Sequence, residues 1–531
     1  MTSRQRDEGA EILRFGGGRN SRASEDQINP IECTDGENFI LDPGQGEFRP
    51  RPPFDLVGTV PNVSEIRGFV TLRKTDGTVS MLVQAGAQVY EWDGASTFTA
   101  VGSVSSSAKL RGKAESFWPL ADKVLISDIN LAEEIHEWDG TTFQQSSFFE
   151  ADGSTPFSAF RCKYIVVENE RAFYGNIYES AANYPHLLVC SSLGDYTVVS
   201  ASQRPSDALG TDAPWFLPVP QLKPINGMGF AFGVLAISQD AGAFEKLSGS
   251  SAKDYTLDKL HDGSGAVGFE SVVSTGNDII YGAAARIESL VSTDKYGNVE
   301  YDDLSFKIYN DIEDVTSWTL IYNPRVHRTY CIPSGGNEIH VMHNDLMGTE
   351  LSPWSKWTTQ HSFSFQPTAS MLCRDPADGL EYVFMGDANG NVYRLEGSGT
   401  AGDGGSANII SYRMSMLYQA PLDMKAFNIN GWVTHRKQLS NDIMLRFLFA
   451  GKHVHDVSKT VELSAVTYDT PYSGSVYYGG SYYYGASQEN RLVRRTFGTP
   501  GQANGFQIET KVDSVNAFAI PEVGVRYDDA G

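Results

Sequence analysis

The sequence predicts an all-β protein, a β-propeller of six to eight blades followed by a C-terminal β-sandwich. Three observations carry that expectation. Short runs of alternating apolar and polar residues, bounded by Gly, Asn and Asp, recur along the chain, while helical periodicity is nearly absent. A motif returns at an offset of 46 residues, the length of a four-stranded propeller blade. A glycine-rich break near residue 400 coincides with a change in charge.

Composition removes several classes. The chain has 531 residues, including 52 Gly, 25 Tyr and 28 Phe, and only 20% of it is charged. Collagen-like, coiled-coil and disordered chains need periodic Gly, high charge or few aromatics, and none of these holds. No apolar run reaches the roughly 18 residues that cross a bilayer as a helix. The polar opening Met1-Thr-Ser-Arg-Gln-Arg carries no secretory pattern. Cys33, Cys162, Cys190, Cys331 and Cys373 are odd in number and widely spaced, which fits neither a disulfide framework nor a zinc cluster. The expectation is a soluble chain, made in the cytoplasm and free of covalent staples.

Net charge is −23, from 42 Lys+Arg against 65 Asp+Glu. Free nucleic-acid binding runs on phosphate neutralisation and counterion release, so so acidic a chain is a poor general DNA binder. The charge is unevenly placed: Gly405 to the end holds 12 basic and 11 acidic residues, a net of +1, leaving −24 on residues 1–404.

Taken in order, residues 1–60 read as an N-terminal arm and lead-in, because the X-Pro steps of Arg49-Pro-Arg-Pro-Pro disfavour helix. The propeller is expected over 61–396. Within it, Val79-Ser-Met-Leu-Val-Gln and Gln88-Val-Tyr-Glu-Trp read as two strands joined by a Gly-containing turn. Tyr90-Glu91-Trp92-Asp93-Gly94, with Thr97-Phe98, returns as His136-Glu137-Trp138-Asp139-Gly140, with Thr142-Phe143. Weaker echoes start at Tyr164, Gly229, Ser271, Ser317 and Tyr382. About seven such units fit between residues 60 and 400, with the N-terminal stretch or a late strand closing the ring. No Gly-His precedes each Trp-Asp at blade spacing, so the WD40 signature is not met. Two similar hairpins in an ordinary sandwich remain the competing reading of the repeat. Residues 397–406 read as a Gly/Ser linker and 407–531 as the sandwich, with alternation in 442–449, 506–512 and 523–527.

Candidate chemistry is sparse. Asp387-Ala-Asn-Gly-Asn391 starts like a calcium loop, but Val392 and Ser398 stand where Gly and an acid belong, so a tight hairpin explains it better. His453 and His455 share a strand face beside Asp456 without further zinc ligands. Asp302-Asp303 and Asp528-Asp529 are adjacent on strands and therefore point to opposite faces, unlike a glycosidase pair. No Gly-x-Ser-x-Gly elbow, P-loop or HExxH occurs, and no cofactor motif is present. The expectation is a non-enzyme. Tyr472, Tyr477, Tyr478, Tyr482, Tyr483 and Tyr484, punctuated by Gly, read as a loop or hairpin tip offering a protein interface.

Several segments carry a resemblance. Phe15-Gly-Gly-Gly-Arg19 is followed by Glu37-Asn-Phe-Ile-Leu-Asp42 and Phe48-Arg-Pro-Arg-Pro52. Further on come Pro185-His-Leu-Leu-Val-Cys-Ser-Ser-Leu-Gly-Asp-Tyr196, Gly265-Ala-Val-Gly-Phe-Glu-Ser-Val-Val273, Asn277-Asp-Ile-Ile-Tyr281 and Ala285-Arg-Ile-Glu-Ser-Leu290. With an acidic propeller, a glycine linker and a sandwich, the chain resembles the tail nozzle, or tail-hub, proteins of short-tailed bacteriophages, also called packaged-DNA stabilisation proteins. That family more often has Trp-Ser where Cys190-Ser191 stands here. The resemblance implies a hexameric ring in the virion tail, below the portal and adaptor. Such a ring continues the DNA channel, closes it until infection, and docks fibres, spikes or a needle.

The charge arithmetic gives this a physical sense, since acidic walls let DNA pass where basic walls grip it. Much of the negative charge is therefore expected to line or rim that channel, with the near-neutral sandwich facing protein partners. Two other readings stay open, a fibre-anchoring or receptor-binding virion propeller and a carbohydrate-active propeller enzyme.

Overall fold

The computed structural model describes residues 8–529 with these exceptions: 14, 25–26, 42–45, 116–121, 158, 180–181, 201, 209, 232, 241, 250, 263–264, 269, 277, 294–297, 359–365, 397–402, 404–408, 416–417, 420–425, 437–441, 450–456, 463–491, 504, 515–519 and 521. The chain forms two compact units, one of Phe54–Ile339 with Ser364–Gly397, the other of Met1–Pro53, His340–Phe363 and Ser398–Gly531.

The first unit is a β-propeller of seven blades among the described residues. Blade 1 runs through Ile66–Arg73, Val79–Ala85, Gln88–Trp92 and Phe98–Ser103, and blade 2 through Leu110–Glu115, Val124–Asp128, His136–Trp138 and Phe143–Gln145. Blade 3 uses Arg161–Glu168, Arg171–Glu179, Ala182–Cys190 and Trp215–Pro218. Blade 4 uses Ile225–Ala231, Val234–Gln239, Ala243–Ser248 and Thr256–Asp262. Blade 5 uses Val272–Ser274, Ile279–Ala283, Arg286–Thr293 and Asn298–Asp303. The inner hairpin of blade 6 is Trp318–Asn323 paired with Arg328–Pro333. Blade 7 is Ala369–Arg374, Glu381–Gly386 and Asn391–Leu395, completed by Phe54–Thr59 from the start of the unit.

That last pairing closes the ring. Phe54–Thr59, expected as lead-in, thus supplies a blade strand that removes an exposed edge. The first strands of the blades follow one another around an axis, and the inner strand of blade 7 returns to that of blade 1. The repeat falls on equivalent positions: Trp92 and Trp138 end the third strands of blades 1 and 2.

Cohesion lies between blades. One buried cluster joins Val70 and Leu82 of blade 1, Ile126 and Trp138 of blade 2, and Tyr174 of blade 3; another joins Trp92 of blade 1 to Phe384 of blade 7. The indole N–H of Trp138 donates to Ser80 Oγ of blade 1 at 2.9 Å. Close approach between neighbouring blades needs residues without a side chain. A Cβ on Gly227 would sit 2.3 Å from Val272 Cγ2 of the next blade, and one on Gly386 2.3 Å from Ile66 Cβ.

The second unit holds the sandwich, two antiparallel sheets. In one, Glu8–Leu13 pairs with Glu522–Asp529, followed by Ala426–Arg436 and Leu492–Ala503. In the other, Asp35–Glu37 pairs with Ile409–Met414, followed by Gly505–Ser514, Asp442–Phe449 and Val457–Glu462. The described part of residues 1–53 is therefore not a free arm: Glu8–Leu13 and Asp35–Glu37 each give one of the two sheets an edge strand. Of the segment expected as a linker, 397–406, only Asp403 is described, and it is buried and ion-paired.

The N-terminal segment is fixed by dense polar contacts. Gly18 lies so close to residues 352–354 that a Cβ there would meet Trp354 O at 2.2 Å and Ser352 O at 2.7 Å. Arg19 pairs with Asp35, and the Arg413 guanidinium stacks over the rings of Phe15 and Phe39. Arg51 is fully buried, and all five of its N–H donors are used. Nη1 and Nη2 donate to the Asp403 carboxylate at 2.8 and 2.5 Å, and Nε donates to Asn38 Oδ1 at 2.8 Å. The other two reach Pro52 O at 2.9 Å and Thr358 O at 3.0 Å. Asn38 itself takes a left-handed backbone, φ +59°, which Asn tolerates better than most residues.

Candidate functional site: the axial cavity of the propeller

The inner strands of the propeller surround a cavity of about 620 Å³, within the size range of small-molecule sites. Its walls include Gly112, Leu125, Ser127, Lys163–Val167, Gly227, Met228, Val272–Gly276, Thr319–Tyr322, Pro324 and Ser370–Leu372. Inner strands supply this surface because they are the first strands of the blades, next to the axis.

The charged wall residues are Arg111, Lys113, Lys163 and Glu270. Arg111, on the inner strand of blade 2, meets Glu270, at the start of blade 5, across the cavity. Its Nε and Nη2 donate to the two carboxylate oxygens, the latter at 3.2 Å. Its Nη1 donates to the carbonyls of Arg67 and Leu110 at 2.9 and 2.8 Å, which fixes the guanidinium plane. Glu270 is aimed by an unusual backbone, φ +64°, and its carbonyl accepts from Leu320 N–H at 2.8 Å. The strut thus ties blade 2 to blades 5 and 6. Lys113 Nζ lies 2.9 Å from Glu381 Oε1 of blade 7. Burial lowers the pKa of the Lys163 ammonium, partly offset by Asp128. Burial, with the Glu270 charge, raises that of the Tyr164 phenol.

This charge pattern bears on the expected acidic channel. The propeller unit holds 22 Lys+Arg against 41 Asp+Glu, a net of −19, so the acidity belongs to it. Its own axial cavity nevertheless carries three cations and one carboxylate. Many acids are engaged in turns instead. Asp93 Oδ1 accepts the N–H groups of Ala95 and Thr97, and Asp139 Oδ1 those of Thr141 and Thr142. An acid-lined conduit is therefore not the axis of a single propeller.

The other sequence candidates separate as follows. Tyr472, Tyr477, Tyr478, Tyr482, Tyr483 and Tyr484 lie outside the described residues, as do His453 and His455. The Asp387 carboxylate accepts from the N–H groups of Asn389 and Asn391 at 2.8 and 2.9 Å and closes a hairpin. Asp303 Oδ1 accepts from Ser305 N–H and Oγ–H at 3.0 and 2.8 Å. Among the described residues no group of three or more His, Cys, Asp or Glu is placed to hold a metal, and no helix is long and apolar enough to cross a membrane. Sequence reasoning did not find the cavity residues, since Arg111 and Glu270 are 159 positions apart. The available signal was a cation inside an otherwise apolar inner strand, as in Arg161-Cys-Lys-Tyr-Ile-Val-Val.

Fold and cavity together define a β-propeller protein with a β-sandwich unit. No protein-family model matches the chain, and no curated protein matches it. Among solved structures, the WD40 domain of coronin from Toxoplasma gondii is similar over 68% of this chain and 87% of that one, at 10% identity and a TM-score of 0.37. The N-terminal domain of Nup159 is similar over 65% of this chain and 95% of that one, also at 10% identity and 0.37. The propeller assignment rests on the chain's own sheets and ring closure.

Proposed function

We propose that this chain is a structural virion protein, the nozzle or hub of a short phage tail. Six copies form a ring that continues the DNA channel below the portal and adaptor, retains the packaged DNA and gates its ejection. Fibres, spikes or a needle dock to it. It performs no catalysis.

One observation carries the reading. The N-terminal segments on which the resemblance rests, 15–19, 37–41 and 48–52, converge on a single buried cluster within the second unit. Phe15, Phe39 and Phe48 lie 5.6 and 6.1 Å apart by ring centroids, Arg413 stacks on two of them, and Arg51 clasps Asn38. The motifs are thus parts of one architectural module, which fits a scaffold whose signature lies in packing. The −19 of the propeller unit supports the same reading, because negative walls around a channel repel phosphate and leave DNA free to slide. A head-to-tail contact between neighbouring copies closes such a ring.

The test is the mass of the purified protein in solution, together with a mobility shift on duplex DNA at about 0.15 M salt. The reading expects a closed oligomer of six and no DNA retention. Single copies throughout the micromolar range, or retained DNA, would overturn it. Hydrolysis of glycans by the pure protein would instead favour the carbohydrate-active reading.

A further inference from the structure

We infer that the axial cavity of the propeller binds a small organic anion with an apolar body, and that Lys163 carries its charge. The inference is independent of the nozzle reading.

It follows from accounting for each charge on the wall. Arg111 is engaged by both oxygens of Glu270 and by two carbonyls. Lys113 is paired with Glu381. Alone among these cations, the Lys163 ammonium makes no hydrogen bond or ion pair among the described residues, although the residue is half-buried. The carboxylate whose charge acts on it, Asp128, has its oxygens engaged by backbone N–H groups. Oδ1 accepts from the N–H groups of Lys109 and Asn130 at 2.7 and 3.0 Å, and Oδ2 from those of Ala132 and Glu133 at 2.7 and 3.0 Å. A half-buried ammonium with no direct hydrogen-bonded partner is costly, and the Asp128 charge offsets that cost only in part.

The rest of the wall selects the body of the ligand. Leu125, Ile165, Val167, Val272, Ile321 and Leu372 present apolar surface, so a fully hydrated ion such as sulfate leaves most of the cavity unused. An anionic group on an apolar ring or chain satisfies both parts. The Arg111–Glu270 strut holds blades 2 and 5 in place, so the site is formed before the ligand arrives. In a unit of net −19, this concave surface of opposite sign also discriminates against cations.

The probe is 8-anilinonaphthalene-1-sulfonate, one sulfonate on an apolar body, titrated by fluorescence into the intact protein. Uncharged N-phenyl-1-naphthylamine serves as its neutral counterpart. Wild type is expected to bind one sulfonate probe per chain, saturably. Lys163→Gln is expected to weaken that binding by about tenfold or more while leaving the neutral probe within about threefold, and Lys163→Arg to retain both. Absence of saturable one-site binding overturns the inference, as does wild-type affinity in Lys163→Gln. Equal weakening of both probes also overturns it, because charge is then not what holds the ligand.

Discussion

Removing the Arg51 guanidinium is expected to unlatch the second unit. Arg51 and Asp403 are both buried, with side-chain exposures of 0% and 2%, and the pair is bidentate. Arg51→Met fills much of the same volume but leaves the Asp403 carboxylate, Asn38 Oδ1 and the carbonyls of Pro52 and Thr358 without this donor. Truncating one partner of a buried, hydrogen-bonded pair costs about 3–5 kcal/mol, most of it from the stranded charge. For a unit of about 200 residues each kcal/mol lowers Tm by roughly 2–4 °C, so the transition of this unit drops by roughly 6–20 °C. Scanning calorimetry on the whole chain reads this as a separate, earlier transition, with the propeller transition unmoved. Removing both charges in Arg51→Met/Asp403→Leu restores most of the loss, since no ion is then left buried. A fall of less than about 2 °C in the single variant, or no recovery in the double, would refute the reasoning.

Three further outcomes follow from the same contacts. Gly18→Ala forces a Cβ against two backbone carbonyls and is expected to lower the stability of the second unit by about 2 kcal/mol or more, read by urea denaturation. Burial raises the pKa of Glu137, but hydrogen bonds from Gln144, Tyr196 and Lys123, with the Lys123 charge, outweigh it, so the net shift is downward from 4.5. Its contribution is therefore full above that value and lost as pH falls through the lower folded one, and Glu137→Gln flattens the acid limb of the propeller's Tm–pH curve. All five cysteines are buried free thiols, and burial pushes Cys190 and Cys373 up to about 12, so a thiol reagent is expected to react with none in the native protein and five after unfolding.

The propeller was legible because a blade is a local object. Its four strands are consecutive, so the Glu-Trp-Asp-Gly turns at 91–94 and 137–140 repeat with the blade and mark its third strand. Ring closure by Phe54–Thr59 was legible only as a topological need, since nothing in that strand names Asn391–Leu395 as its partner. The second unit was half-legible for the same reason. Glu8–Leu13 pairs with a strand about 500 residues away, and antiparallel edges carry no address beyond alternation. Asp403 was hidden by its glycine-rich surroundings, which have the composition of a linker. The cavity is a product of ring geometry, bringing Arg111 to Glu270 only when seven inner strands close.

The central claim is tested most directly by a cryo-electron microscopy map of the purified assembly at side-chain resolution. The account predicts six copies around an open axis whose inner wall is dominated by Asp and Glu of the propeller unit. A wall dominated by Lys and Arg, or particles that contain a single copy, would contradict it.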